Sequence, residues 1–180
     1  AGTIAVTVDG IAVSTVTKTA IDGGYKCTCT SPTLKDGSHT ISVKASDNDG
    51  NAAAAKTATF TVDTVPPTLQ ITAPSNDLIT NKKTVTVSGK TDDVSSKPVT
   101  VTVNGATVTV GTDGTFTKDV TLAEGANTIT IVAKDKAGKT TTVTRKVTVD
   151  TSAPVIKSVT LTPNPVDCGK TFIIAVEITD

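Results

Sequence analysis

The chain has 180 residues, with 17 basic and 17 acidic side chains and a formal net charge of +0 at pH 7. This balance gives no electrostatic attraction to nucleic acid or to an anionic membrane surface, so we expect no nucleic-acid partner. The sequence has no long apolar run, and we expect no membrane insertion. Aromatic residues make up only 2% of it, whereas threonine and valine, which favour strands, are abundant.

Several segments recur along the chain. VTVDG at 6–10 returns as VTVNG at 101–105, and GSHTISVKASDNDGN at 37–51 returns as GANTITIVAKDKAGK at 125–139. In a third pair, FTVDTVPP returns as VTVDTSAP, and the two aspartates lie 150 − 63 = 87 residues apart. A period this long, in a chain of alternating apolar and polar residues, predicts successive copies of a small β-domain.

The first segment, residues 1–63, is predicted to be a β-domain that lacks its first two strands. It begins at the equivalent of Val99 in the second copy and keeps a hairpin turn at Asp9-Gly10. The three later strands of the repeat follow this hairpin.

The second segment, residues 64–150, is predicted to be a complete domain. Asn104-Gly105 separates two alternating runs and is a strong hairpin signal, because a type I′ turn needs positive φ at both central residues. Seven short strands with turns between them predict an antiparallel sandwich, so the expected fold class is all-β with tandem immunoglobulin-like sandwiches. The predicted strands span roughly 68–73, 84–91, 98–104, 106–111, 115–121, 127–134 and 140–149.

The last segment, residues 151–180, carries only the counterparts of the two opening strands of a further domain. Residues 155–161 match 68–73, and the alternating residues of 172–178 match those of 85–91. The chain therefore starts and stops inside domains. Two interpretations are open: a fragment of a longer protein, or a subunit that completes its neighbours by strand donation in a head-to-tail fibre.

Two short linkers join the segments, namely Asp63-Thr-Val-Pro66-Pro67 and Asp150-Thr-Ser-Ala-Pro154. Proline cannot donate to a sheet ladder, so these prolines are expected to end strand pairing and to stiffen the passage to the next domain. A stiff linker of about five residues suits a rod in which domain orientation is defined.

The tail of each copy has the form G-x-N/H-T-I-x-V/I-x-A-x-D, then a glycine turn, then V-D-T-x-x-P. This pattern resembles the bacterial Ig-like domains found in tandem in surface adhesins, in extracellular enzymes as accessory modules, and in phage tail and capsid proteins. The resemblance implies an extracellular location, on a bacterial surface or a phage virion, and neighbouring Ig-like domains of the same or adjacent chains as partners. Residues 158–180 resemble the opening of Ig-like modules in phage and prophage virion proteins. The matching positions are Gly37, His39, Thr40, Ile41, Val43, Ala45, Asp47 and Asp63–Pro67, and then Gly125, Asn127, Thr128, Ile129, Ile131, Ala133, Asp135 and Asp150–Pro154.

The acidic loop DNDGN at 47–51 is a candidate calcium site. Calcium binds hard oxygen donors, which makes Asp47, Asp49 and Asn51 candidate ligands. The resemblance to adhesin repeats, some of which bind calcium near their linkers, adds Asp63. The EF-hand pattern fails, because glycine is fourth in the loop and alanine is twelfth, so a backbone turn built from Asp, Asn and Gly is the alternative.

Residues suited to catalysis are few. His39, the one histidine, aligns with Asn127, which predicts a hydrogen-bonding role at a turn and not a catalytic base. Glu124 and Glu177 do not form the paired-carboxylate pattern of a glycosidase, and Glu124 aligns with Asp36 as a solvated turn acid. We therefore predict that the chain is not an enzyme.

Two cysteines one residue apart on a strand, Cys27 and Cys29, share a face and are expected to be buried free thiols. Alternation also places the aromatic side chains in the core, so any sugar contact would rest on polar loops such as Thr91–Lys97. The aromatic residues are Tyr25, Phe60, Phe116 and Phe172.

Two classes of function fit these features. The first is a non-catalytic structural array that acts as a stalk, spacer or decoration of a bacterial surface or phage virion protein. The second is an adhesion module that recognises a host-cell glycan or protein through its inter-strand loops. Short proline linkers and the lack of an aromatic-rich loop favour the first class.

Overall fold

The computed structural model describes residues 2–162, 164–165 and 168–180. Regular structure in these ranges consists of β-strands, nearly all paired antiparallel. None of the described residues belongs to a helix with the length and apolar character needed to cross a membrane. The predicted all-β fold with antiparallel sheets is confirmed.

The first repeat, residues 1–63, contains β1 (Ile4–Val8), β2 (Ile11–Ala12), β3 (Val16–Ile21), β4 (Gly24–Cys29), β5 (Gly37–Ala45) and β6 (Lys56–Val62). Four of these strands form a sheet in the order β2-β1-β5-β6, and β3 pairs with β4 as a separate hairpin. The alternation of β1 turns Val6 and Val8 inward, and both side chains are buried.

The second repeat, residues 64–150, contains β7 (Thr68–Ala73), β8 (Leu78–Thr80), β9 (Thr84–Asp92), β10 (Thr100–Val103), β11 (Ala106–Val108), β12 (Thr115–Thr121), β13 (Gly125–Lys134) and β14 (Thr140–Val149). One sheet has the order β11-β10-β13-β14-β8 and the other β12-β9-β7. The predicted strands of this segment are present. β8 is not among the predicted strands; it has 3 residues and pairs with β14 in the parallel direction.

The core of the second repeat is built from the inward-facing side chains of both sheets, which alternate with exposed residues along each strand. It is aliphatic except for one phenylalanine, in keeping with the composition. The buried members are Val85, Val87, Val101, Val103, Val108, Phe116, Leu122, Ile129, Ile131, Ala133, Val147 and Val149.

The two predicted hairpin turns form as expected. Asp9 and Gly10 have φ of 50° and 81°, and Asn104 and Gly105 have φ of 47° and 81°. Aspartate, asparagine and glycine tolerate this left-handed backbone better than other residues, which is why the turns fall here. The first turn joins β1 to β2, and the second joins β10 to β11.

The last segment contributes β15 (Val155–Thr162) and β16 (Ile173–Thr179), which pair antiparallel with each other. The apolar side chains of this pair are exposed, because no other described strand covers either face.

The prediction that all four aromatic side chains lie in the core is wrong. Phe116 is 3% exposed, but Tyr25 is 59%, Phe60 39% and Phe172 48% exposed. Phe116 packs into the core formed by residues of both sheets of the second repeat. Tyr25 lies on β4, the counterpart of β12, which pairs only with β3 among the described strands.

The cysteines differ from the prediction for the same reason. Cys27 is half-buried and Cys29 is exposed, and both are free thiols. The β3–β4 hairpin that carries them pairs with no further strand in the described part of the chain.

Candidate functional site at the linker

Each linker begins with the same pair of hydrogen bonds, which we call the acid–threonine clamp. Thr64 donates its backbone N–H to Asp36 Oδ1 at 3.1 Å and its hydroxyl to Asp36 Oδ2 at 2.8 Å. Thr151 donates in the same way to Glu124 Oε1 and Oε2, both at 2.8 Å. The backbone bond, and then the hydroxyl bond, lower the pKa of Glu124 because they favour the ionised carboxylate. An acid before β5 or β13 thus fixes the chain as it leaves the last strand of the same repeat.

The first linker is also fixed to the repeat that follows it. Asp63 Oδ1 accepts the N–H of Val65 at 3.1 Å, which closes a tight turn. Pro67 is fully buried, and its carbonyl accepts the hydroxyl of Thr141 on β14. Pro66 is exposed. Hydrogen bonds therefore hold the linker at both ends, and the stiffening by its prolines stays a prediction.

A group of three buried carboxylates lies where this linker meets the second repeat. Asp63 is 8% exposed, and Asp93 and Asp135 are each 5% exposed. One carboxylate oxygen from each lies within 4.8 Å of the others. Asp63 ends the first repeat, Asp93 follows β9 and Asp135 follows β13, so two successive repeats contribute to the group.

Each carboxylate uses its Oδ1 to order its own loop. Asp93 Oδ1 accepts the N–H groups of Ser95 and Ser96 at 2.8 and 2.6 Å. Asp135 Oδ1 accepts the N–H of Lys139 at 2.8 Å. In contrast, Asp63 Oδ2 and Asp135 Oδ2 are buried without a hydrogen-bond partner. The backbone thus holds the carboxylates in place while second oxygens stay free to bind a ligand.

The charge of this group is not balanced by the protein. The ion pairs among the described residues join His39 to Asp9 and Lys97 to Asp92, and neither includes a member of the group. Burying an unpaired charge is costly, and three such carboxylates also repel one another. The geometry is therefore that of a cation site made of oxygen donors.

The predicted calcium ligands Asp47, Asp49, Asn51 and Asp63 are not brought together as one acidic group. Asp47 Oδ1 accepts the N–H groups of Asp49 and Asn51 at 3.0 and 2.8 Å, and its Oδ2 accepts the Asn51 amide at 2.7 Å. The Asn51 side chain, and then its backbone N–H, lower the pKa of Asp47. These bonds close a backbone turn of Asp, Asn and Gly, which is the alternative to a calcium site at this loop. Calcium binding by residues 47–51 stays a prediction.

Asp93 and Asp135 are not among the predicted ligands. For Asp135 the sequence held a signal, because the repeat aligns it with the candidate ligand Asp47. Asp135 aligns with Asp47, and its N–H likewise bonds across the turn, to the Lys139 carbonyl at 3.1 Å. Asp93 was noted only as part of the loop Thr91–Lys97. Its closeness to Asp63 and Asp135 depends on the tertiary fold, which sequence spacing does not reveal.

A second polar cluster joins the turn after β1 to the start of β5. His39 Nδ1 lies 2.6 Å from Asp9 Oδ2, and His39 Nε2 lies 2.8 Å from the Lys35 carbonyl oxygen. In the second repeat Asn127 takes the equivalent place, with its amide donating to the Ala123 carbonyl at 2.8 Å. These bonds agree with the hydrogen-bonding role predicted for His39.

The loop Thr91–Lys97 lines one side of a cleft of about 370 Å³ in the second repeat. Lys97 pairs with Asp92 at 2.8 Å on its rim, and this pairing lowers the pKa of Asp92. The remaining lining residues include Pro98, Val110 and Asp113 but no aromatic side chain.

Comparison with known families agrees with the repeat structure. Residues 1–64 match the model of a bacterial Ig-like domain, and residues 67–151 match the model of glucodextranase domain B. Bacillopeptidase F of Bacillus subtilis (strain 168) is 32% identical over 140 residues, which are 78% of this chain and 9% of that protein. The chain thus spans less than a tenth of the curated relative it matches.

Solved structures of similar shape include fibronectin(III)-like modules of Clostridium thermocellum CbhA, with a TM-score of 0.46 and 18% identity, covering 82% of this chain and 77% of that one. A tetra-tandem repeat from the extending region of a large adhesion protein has a TM-score of 0.41 and 24% identity, covering 97% of this chain and 54% of that one. The two family matches and the all-β sheets agree with the predicted resemblance to tandem bacterial Ig-like domains.

Proposed function

We propose that this chain is a non-catalytic spacer in an extracellular protein, in which Ig-like domains hold a functional end away from a bacterial surface or a virion. In this proposal residues 1–63 and 151–180 are parts of domains, and residues 64–150 are a complete one. Its partners are the neighbouring domains of the same or adjacent chains.

The observation that carries this proposal is the acid–threonine clamp, which is present at both linkers with the same donors and acceptors. A spacer must set the direction in which each domain leaves the previous one. Two hydrogen bonds to one carboxylate fix that direction at Thr64 and Thr151, and the prolines restrict the backbone that follows. Ig-like domains are generally non-catalytic, which supports a mechanical role.

The test is the relative orientation of the first two repeats in solution. Residual dipolar couplings measured on the full chain should fit one alignment tensor for both repeats. Asp36→Ala removes both acceptors of Thr64, so the first repeat should then align more weakly than the second. Asp22→Ala, which removes an exposed acid from the β3–β4 turn, is the matched control and should leave the tensors equal.

Separate alignment tensors for the two repeats of the wild-type chain would contradict the spacer function. They would describe loosely tethered modules, as expected for the adhesion alternative.

That alternative has one favourable observation, the cleft beside Thr91–Lys97. A host-cell glycan or protein bound there would shift the amide signals of Lys97 and Asp113 on titration. The absence of an aromatic platform in its lining favours the spacer.

A further inference from the structure

We propose that the β15–β16 hairpin of one chain covers the first repeat of a second copy, with β16 pairing antiparallel with β4. The partner is another copy of this same chain, and the contact joins copies head to tail. This interaction goes beyond the spacer function and is tested by a different measurement.

The β15–β16 hairpin has one apolar face, and that face is exposed. Directly opposed residues of an antiparallel pair point to the same side of the sheet. Three successive opposed pairs on one side are entirely apolar, with side chains between 43% and 63% exposed, namely Ile156–Ile178, Val159–Val176 and Leu161–Ile174. The other side is mainly polar and includes Ser158, Thr160 and Glu177. An exposed apolar face of this kind marks an interaction surface.

The second repeat shows what such a hairpin covers. β7 and β9 are the counterparts of β15 and β16, because residues 155–161 match 68–73 and residues 172–178 match 85–91. Val87 of β9 is fully buried in the core of the second repeat, and β9 pairs with β12. The matching Ile174 of β16 is 58% exposed. The β15–β16 hairpin therefore carries the face that closes a core in the preceding repeat.

The first repeat is uncovered at the positions that this kind of hairpin covers. Phe116 and Val147 of the second repeat are 3% and 1% exposed, whereas the matching Tyr25 and Phe60 are 59% and 39% exposed. β4, the counterpart of β12, pairs only with β3 among the described strands, so its other edge is free. A free strand edge beside uncovered apolar side chains is a template for a strand from another chain.

The pairing of β9 with β12 predicts the register of the new contact. Apolar side chains or thiols then face one another on the inner side, where Tyr25, Cys27 and Cys29 lie opposite Val176, Ile174 and Phe172. On the outer side Glu177 lies diagonal to Lys26, which is a favourable pair of opposite charges.

This register differs from its template at one position. Val176 matches Gly89, over which the Phe116 ring packs so closely that a Cβ there would lie 2.8 Å from Phe116 Cζ. The Tyr25 ring is therefore expected to pack beside Val176 and not above it.

The hairpin cannot reach the first repeat of its own chain. Thr141 at the start of β14 bonds to the Pro67 carbonyl, where the first linker arrives, and Val149 ends β14 before the second linker. These two positions are 149 − 141 = 8 residues apart, which is about 26 Å of extended strand. The second linker, residues 150–154, spans at most about 18 Å. The contact thus needs a second copy, and because it joins two different surfaces it builds an open chain of copies.

The experiment is sedimentation velocity of the full chain over a range of concentrations, with a reducing agent present to prevent disulfides. The wild type should form oligomers that grow with concentration. Ile174→Asp places a charge on the apolar face of β16, so this variant should stay monomeric.

Ile173→Asp is the matched control, because it introduces the same charge one residue away on the other face of β16. Ile173 is 70% exposed, and the matching Thr86 of the second repeat is also exposed. This variant should associate like the wild type.

A mixing experiment tests that the contact is head to tail. Tyr25→Asp changes the receiving surface and leaves the hairpin intact, whereas Ile174→Asp does the reverse. Each variant alone should be monomeric, and their mixture should form dimers and nothing larger. Both side chains are exposed in the single chain, and unchanged amide exchange of β13 would verify that the second repeat stays folded.

A wild type that is monomeric at every concentration would overturn the proposal. Equal loss of association in Ile173→Asp and Ile174→Asp would overturn it as well, since the apolar face would then have no special role. Self-association of Tyr25→Asp at the wild-type level would show that hairpins bind one another and not the first repeat. None of these results changes the dipolar-coupling test of the spacer function, so the two proposals can fail separately.

Discussion

At the scale of single residues, His39 shows how a local contact fixes a protonation state. Both of its ring nitrogens face acceptors, namely Asp9 Oδ2 and the Lys35 carbonyl oxygen. A neutral imidazole donates only one hydrogen bond, so the imidazolium fits this arrangement best. The bond to Asp9, and then the bond to the Lys35 carbonyl, raise the pKa of His39 above 6.5. The hydrogen bond from His39 favours the ionised Asp9 carboxylate, and it is the largest cause of the lowering of the Asp9 pKa below 3.8.

The pH dependence follows from these directions. A raised His39 pKa stabilises the fold fully below pH 6.5, and this contribution is lost as the pH rises through the pKa of the folded state. The depressed Asp9 pKa adds stability that is present above pH 3.8 and is lost as the pH falls through its own folded value. We expect the urea midpoint of the wild type to exceed that of His39→Asn at about pH 5, and the difference to shrink by about pH 8.

His39→Asn is a suitable comparison because asparagine is the residue of the second repeat at this position. An NMR titration of the His39 ring gives its pKa directly. A pH-independent difference between the two proteins, or a ring pKa at or below 6.5, would contradict the assignment.

At the scale of strands and turns, most elements could be predicted from the local sequence. Asp9-Gly10 and Asn104-Gly105 predicted both hairpins, because their left-handed conformation is a property of two residues. β8 was not predictable in this way, since 3 residues carry too little alternation and its partner β14 lies far along the chain.

The strand β9 contains a glycine that the packing requires. A Cβ on Gly89 would lie 2.5 Å from the Gln70 carbonyl oxygen and 2.8 Å from Phe116 Cζ. Gly89→Ala should therefore destabilise the second repeat by about 1–3 kcal/mol, as other overpacked cores are, in chemical unfolding experiments.

Gly24→Ala in β4 is the control for this substitution. A Cβ at Gly24 meets no atom within 4 Å, so alanine there should be neutral or slightly stabilising. Equal effects of the two substitutions would show that the contact with the Gln70 carbonyl does not restrict position 89.

At the scale of the whole molecule, the apolar core of the second repeat is separate from the first. Its buried cluster and the side chains packed against it all fall between Leu69 and Val149. The buried Val6 and Val8 of the first repeat are not part of it. The two repeats therefore do not share an apolar core.

Phe116→Ala tests this separation. The loss of a buried phenylalanine should cost the second repeat about 3–5 kcal/mol, through the cavity that is left. Hydrogen exchange should accelerate for amides of β13 and β14 and stay unchanged for those of β1. Phe60→Ala, which removes a partly exposed ring from β6, should cost less.

A loss under about 1 kcal/mol for Phe116→Ala would mean that the ring is not a core residue. Faster exchange in β1 would mean that the repeats unfold as one unit.

The sequence by itself determined the repeat, the strands of the second repeat other than β8, both hairpins and the proline linkers. These are local properties, set by the alternation and backbone preferences of neighbouring residues. Only the tertiary structure decided which aromatic side chains are buried, because that depends on whether a second sheet covers the strand. It also decided which aspartates meet: Asp63, Asp93 and Asp135 lie 93 − 63 = 30 and 135 − 93 = 42 residues apart, and only the docking of one repeat on the linker brings their oxygens together.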